Sequence, residues 1–223
     1  FINSASFNIY RNLRYYNGRG KDVSAYMRNI ESYRKNISNT KTIEELMGVE
    51  GNIRQEYYKA WNVIIDENIE FNKRVYHPAD NMINSLISIV NTLVYTKTLS
   101  EIYKTQLNPT ISFLHQPGTR RFSLALDVSE VFKPLIADRL IFSLLNRKQI
   151  TEDSFVKDLN GLQLTEKASK TIMAELDNKL KTTVFHKELN KKVSYQFLIR
   201  LELYKLIKHI IGEKEYKGFE MWW

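Results

Sequence analysis

The sequence predicts an all-α domain. Apolar residues recur at steps of three and four along most of the chain. Alternating strand patterns are nearly absent, and eight glycines and four prolines in 223 residues are too few for the many tight turns of a sandwich or barrel. With 43% hydrophobic residues the chain can bury a real core. It has no cysteine, which excludes a disulfide framework and thiolate zinc sites and fits an intracellular protein. No apolar run reaches the roughly 18 residues of a membrane span, and no signal peptide is visible, so no membrane partner is expected.

The elements follow in order. Residues 4–16 carry Phe7, Tyr10, Leu13 and Tyr16 at helical spacing, with Asn17-Gly18 as the stop. A second helix is expected over 23–37, with Tyr26, Met27, Ile30 and Tyr33 on one face. Thr42 and Glu45 form a capping box for a short helix ending at Gly48, and a longer helix is expected from Glu50 to about Asp66. Pro78 and Asp80 open a helix that runs to about Gln106. Its apolar side holds Met82, Ile83, Leu86, Ile87, Val90, Leu93 and Val94. Asn81, Asn84, Ser88, Asn91 and Tyr95 make a narrow polar stripe, and no charge falls between Asp80 and Lys97. A solvent face of that length usually carries charges, and buried amides must be hydrogen-bonded. The stripe is therefore expected to line a wet site through Asn84, Asn91 and Tyr95. Further helices are expected over 151–159, 166–182 and 194–211, the last capped by Ser194 and stopped by Gly212. The aromatic residues of the final EKEYKGFEMWW are expected to clamp onto the body.

Charge is uneven. Residues 1–41 hold eight Lys or Arg against two acids, whereas the rest of the chain holds 25 against 23. A basic first segment on a nearly neutral body points to an anionic partner, nucleic acid above all. Arg11, Arg14 and Arg19 lie among Tyr10, Tyr15 and Tyr16, a mixture of cations and rings suited to phosphate and base contacts. The plainer alternative is a solubilising face with half-buried tyrosines.

The most unusual stretch runs from Phe113 to Arg139. His115 precedes a Pro117-Gly118 turn and then Arg120 and Arg121, placed to hold a phosphate. An apolar helix follows from about Ser123. It carries Asp127 and Glu130 on one face, where their ionised forms repel and are costly among apolar neighbours; a cation between them relieves both problems. Pro134 cannot donate to the carbonyl of Glu130, so a kink is expected there. Glu50, His115, Asp127 and Glu130 could thus form one site for Mn²⁺ or Mg²⁺, and Arg54 lies one turn from Glu50 and could pair with it. Spacing alone does not bring Glu50 to His115, and either acid of the helix could reach the cation.

Five segments carry a resemblance: GVEGNIRQEYY (48–58), DNMINSLISIVNTLVY (80–95), FLHQP (113–117), FSLALDVSEVFKPLIADR (122–139) and KVSYQFLIRLELYKLIKHIIGEKEY (192–216). Over essentially its whole length the chain resembles the α-helical catalytic domain of the CRISPR-associated adaptation endonuclease, the integrase that inserts new spacers into the repeat array. The resemblance implies Glu50, His115 and Glu130 as ligands of Mn²⁺ or Mg²⁺, with Asp127 assisting. Arg54 is also expected to contact DNA. It implies phosphodiester hydrolysis and transesterification on double-stranded DNA, both the spacer precursor and the CRISPR repeat, in the prokaryotic cytoplasm. It implies a homodimer, and a small ferredoxin-like subunit that joins two dimers. It also implies an N-terminal β-domain that this chain lacks. Residues 1–41 then stand as basic helices that follow that domain, and 42–223 as the catalytic domain. The competing functions are a non-catalytic helical DNA-binding module and a structural subunit of a larger assembly.

Overall fold

A computed structural model describes residues 1–65, 71, 73–75, 81–116, 122–158 and 161–223. Among these the architecture is mostly helical, as expected. Helix α1 spans Ile2–Asn17 and α2 spans Ser24–Lys35. Helix α3 spans Ile43–Ile64, α4 spans Met82–Ile102 and α5 spans Ser123–Phe132. Helix α6 spans Arg139–Asn146, α7 spans Glu166–Lys181 and α8 spans Tyr195–Ile210. No helix among the described residues is long and apolar enough to cross a membrane.

At the centre lies α5, where Leu124, Ala125, Val128, Val131 and Phe132 are almost fully buried. Helices α1 and α4 pack against it, and α8 packs on α4. From α1, Ile9 and Leu13 enter the same core, as do Ile53, Tyr57 and Trp61 from α3. The aromatic tail docks as expected: Phe219 and Met221 are buried, and the Met221 N–H donates to Asn8 Oδ1 at 2.8 Å.

Helix α3 departs from the expected pair of helices. Thr42 caps it, accepting from the Glu45 N–H at 3.1 Å, and Glu45 reaches back to the N–H of Lys41 at 2.7 Å. The helix then runs straight through Gly48 and Gly51. An interior glycine costs a helix only about 1 kcal/mol, and the buried Ile53, Tyr57, Trp61 and Ile64 offset that cost. Glu50 is therefore a mid-helix residue, not a residue at a helix start.

The described residues of the helix expected over 151–159 do not form one. Thr151 and Ser154 cap each other around a single 3₁₀ turn, and Phe155–Asp158 (β1) pairs antiparallel with Gly161–Leu164 (β2). A second hairpin, Thr183–His186 (β3) with Lys191–Ser194 (β4), leads into α8. Both hairpins stand at the margin of the helical body. The cap of α8 is as expected: Ser194 Oγ accepts from the Phe197 N–H at 3.1 Å, and Gly212 ends the segment at φ +75°. Helix α4 is capped by Asn81, which accepts from the Asn84 N–H at 2.9 Å, and it ends at Ile102, short of the expected Gln106; Pro78 and Asp80 lie outside the described residues.

Pro134 does break the central helix, in a specific way. Residues Pro134–Asp138 form a π-helical turn, and the Asp138 N–H donates to the Lys133 carbonyl, five residues back, at 3.0 Å. The Pro134 carbonyl is taken by Asn12 Nδ2 of α1 at 2.6 Å. A widened turn is one way a helix absorbs a missing donor, and here a buried amide completes it.

Candidate active site

The loop before α5 is organised by Asp127, a fully buried residue of that helix. Its Oδ2 accepts from the N–H groups of Phe113 at 2.7 Å and Leu114 at 3.0 Å. Its Oδ1 accepts from the His115 N–H at 3.1 Å and faces His115 Nδ1 at 2.7 Å. An ionised carboxylate only accepts, so Nδ1 carries the proton and Nε2 is left as the acceptor nitrogen of the ring. This is how a carboxylate fixes the tautomer and angle of a metal-binding histidine. Asp127 thus spends its oxygens on the 113–115 loop.

His115 lines a cavity of about 430 Å³ together with Glu50 and Gly51 from α3, Asn91 from α4, and Glu130 with Lys133 from the end of α5. The fold therefore brings together the three residues expected as ligands. Arg54 stands among them. Its Nε bonds Glu50 Oε1 at 2.7 Å, the pairing expected one turn along the helix, and its Nη2 bonds Glu130 Oε2. Lys133 Nζ takes the other oxygen of Glu130. Burial alone would raise the Glu130 carboxyl, but the charges on Lys133 and Arg54 overcome that and hold it at about 2. Glu130 and Glu50 in turn hold the Arg54 guanidinium well above its ordinary value against the effect of its own burial.

An imidazole nitrogen and two carboxylates are a donor set that suits Mn²⁺ or Mg²⁺. Among the described residues, however, no three His, Asp or Glu side chains converge into one coordination sphere. One guanidinium bridges the two glutamates instead, so the donors fit the ion by chemistry, and Arg54 must yield a carboxylate before they fit it by geometry. Arg54, expected as a DNA contact, is committed to this bridge. Besides Arg54 and Lys133, Lys73 and Arg74 also line the cavity, a surplus of cations over the two glutamates that favours an anionic substrate.

The polar stripe of α4 divides. Asn91 lines the cavity, and its Oδ1 is buried without a hydrogen-bond partner among the described residues. Asn84 lies behind the lining: its Oδ1 accepts from the Val75 N–H at 3.1 Å and from Arg74 at 3.0 Å, and its Nδ2 donates to the Lys73 carbonyl at 3.1 Å. Tyr95 Oη accepts from the Phe122 N–H at 3.0 Å and so anchors the start of α5. Two of the three expected lining residues therefore hold the walls of the site, not its interior. Arg14 and Arg19 are exposed at the end of α1 and just beyond it, and Arg11 is half-buried; Arg120 and Arg121 lie outside the described residues. Sequence reasoning missed Lys133 and the buried Asp138. The signal for Lys133 was its i+3 spacing from Glu130.

A family model described as CRISPR associated protein Cas1 matches residues 1–178. The CRISPR-associated endonuclease Cas1 of Fusobacterium nucleatum is 67% identical over 223 residues, which is the whole of this chain and 66% of that protein. A solved CAS1 protein from Thermotoga maritima is 38% identical and superposes with a TM-score of 0.83 over 98% of this chain and 66% of that one. A casposase bound to integration product superposes with a TM-score of 0.88 over 99% of this chain and 66% of that one, and at 21% identity it is a likeness of fold alone. The chain spans about two thirds of the length of these relatives.

Proposed function

The chain belongs to the Cas1 family of CRISPR-associated proteins, and on that premise we propose that it is the catalytic part of a divalent-metal-dependent DNA endonuclease and integrase. The reaction proposed is insertion of spacer DNA into a CRISPR repeat array. The spacer 3′-oxygen bonds to a repeat phosphorus as the repeat's own bridging oxygen leaves; with water as the nucleophile the same displacement is cleavage. Mn²⁺ or Mg²⁺ held by Glu50, His115 and Glu130 would supply charge neutralisation at that phosphorus. The observation that carries the reading is Asp127 holding His115 by its Nδ1 in the cavity shared with both glutamates.

The residues of the chain have separable tasks. Asp127 keeps His115 in one tautomer and one orientation. Lys133 and Arg54 steady Glu130 and offer positive charge to a phosphate entering the cavity. Double-stranded DNA is the proposed substrate, with a homodimer and a small ferredoxin-like subunit as proposed partners of the whole protein.

The test is a plasmid-nicking assay with Mn²⁺, with and without EDTA. Glu50→Ala and His115→Ala are each expected to lower cleavage by about 100-fold or more, since partners of ligands alone are worth roughly 10- to 100-fold. Circular dichroism on the same samples should be unchanged. Undiminished cleavage in EDTA would overturn the metal dependence, and wild-type cleavage by either variant would remove that residue from the site; no cleavage by the wild-type protein in Mn²⁺ would leave a DNA-binding module without catalysis as the better description.

A further inference from the structure

A second basic region lies on the other side of Asn12. This buried amide of α1 donates to Tyr57 Oη at 3.2 Å and accepts from Arg139 Nε at 2.7 Å. The Arg139 guanidinium carbon stands 5.6 Å from the centre of the Tyr15 ring, and that of Arg19 lies over the same ring at 3.7 Å. In the last turn of α7, Lys179 Nζ is 4.7 Å from the centre of the Tyr195 ring. Arg139 reaches this group as well: burial raises the Tyr195 hydroxyl, and the nearby Arg139 charge pulls it the other way. Lys179 is brought down to about 8, first by burial and then by the charge on Arg139. One turn before Tyr15, Arg11 Nε is buried with no hydrogen-bond partner among the described residues.

Among the described residues none of these four cations is in an ion pair with a carboxylate. Other half-buried cations can be matched, as Arg54 is by two glutamates and Arg200 by Glu101 at 2.7 Å, although Arg34 too has a hydroxyl and a ring in place of a carboxylate. Ring faces attract cations without cancelling their charge, and like charges gathered and partly desolvated are costly without a counter-ion. The set lacks an anion. A guanidinium offers a planar fork that matches phosphate oxygens. Tyr15 is 44% exposed and Arg19 is exposed, so the set is open to a large ligand. A guanidinium stacked on an exposed ring is also a surface on which a nucleotide can rest.

We propose that Arg19, Arg139 and Lys179, set around Tyr15 and Tyr195, form a phosphate-binding site for a nucleic-acid backbone, separate from the cavity of Glu50, His115 and Glu130. It extends the DNA-processing reading and does not depend on chemistry in that cavity.

The test measures binding of a short labelled DNA duplex by fluorescence anisotropy across a salt series, in EDTA so that the cavity chemistry is silent. The double variant Arg19→Gln with Lys179→Gln is expected to lower the slope of log K against log salt by about 1.8, at roughly 0.9 for each phosphate that is no longer neutralised. Mn²⁺ binding, titrated separately, should stay as in wild type. Neither side chain accepts or donates a bond that holds the fold; should the double variant unfold, Lys179→Gln alone is expected to lower the slope by about 0.9. An unchanged slope overturns the proposal. A poly-glutamate peptide that binds as tightly as the duplex, and weakens equally in the variant, overturns it in favour of an acidic protein partner. Loss of the cavity reading through active Glu50→Ala or His115→Ala would leave this slope untouched, so the two failures are distinguishable.

Discussion

The cavity and the α1–α6–α7 face both gather cations, and they treat them oppositely. In the cavity each described ion pair closes on Glu130 or Glu50: Arg54 takes both, and Lys133 takes Glu130. On the face, Arg19, Arg139 and Lys179 have rings and an amide for neighbours. A closed set of buried charges fixes its own geometry, and removing one member leaves the others uncompensated. An open set stores repulsion that a ligand can relieve. The first arrangement suits groups that must be in place before substrate arrives, and the second suits groups that wait for one.

The sharpest way to break this contrast is to neutralise one charge in each region. Glu130→Gln leaves Arg54 and Lys133 facing an amide, and the expected loss is about 3 kcal/mol of unfolding free energy. Lys179→Gln removes a repelling cation, and the expected change is within about 0.5 kcal/mol, neutral or stabilising. Urea denaturation of both at neutral pH measures the difference. Equal losses would mean that the two regions are held by the same forces.

A smaller effect sharpens what orders the cavity. Asp127→Asn keeps the shape, but one of its two terminal atoms becomes a donor and cannot serve the 113–115 backbone. Mn²⁺ affinity by calorimetry is expected to fall roughly 10- to 100-fold without being lost. Complete loss of binding would make Asp127 a ligand in its own right.

The smallest effect concerns the acid between the regions. Asp138 is buried beside Tyr57, and its Oδ2 has no hydrogen-bond partner among the described residues. Burial raises it to about 7, although Arg54 pulls it the other way. A raised carboxyl contributes stability at low pH and loses it as pH rises through the folded value. Wild type should therefore lose about 1 kcal/mol between about pH 6 and 8 from this group. Asp138→Asn should not show that loss, because its amide does not ionise. Parallel melting curves in that window would show that Arg54 already keeps Asp138 charged.

Much of this was legible in the sequence. The caps at Thr42 and Ser194, the stop at Gly212, the break at Pro134 and the pairing of Glu50 with Arg54 are local events, decided within four or five residues. The continuity of α3 was not legible, because two glycines signal a break that only the packing of Ile53, Tyr57 and Trp61 overrides. The first hairpin was hidden by apolar spacing that a helix also satisfies, although Asn160-Gly161 is a hairpin signal. The union of Arg54 with Glu130 was out of reach, since 76 residues separate them. So was the difference in partners between Asp127 and Glu130, which depends on which way a loop 12 to 14 residues earlier folds back.

The π turn at Pro134–Asp138 also sets a phase. Each residue of an α-helix advances the side-chain direction by about 100°, and a widened turn adds a residue without adding a full step of rise. Everything from Arg139 onward is indexed by that added residue. Deleting one residue there would mend the helix and spoil the molecule: Arg139 would swing away from Asn12, and Ile141, Leu144 and Leu145 would rotate off the core they now fill. The turn of Lys187 to Asn190 between β3 and β4 carries no such index, because it is exposed and, among the described residues, its strands pair only with each other. Length variation is thus tolerated at the margin of the fold and forbidden at its axis, where a single added residue keeps the two basic regions in register.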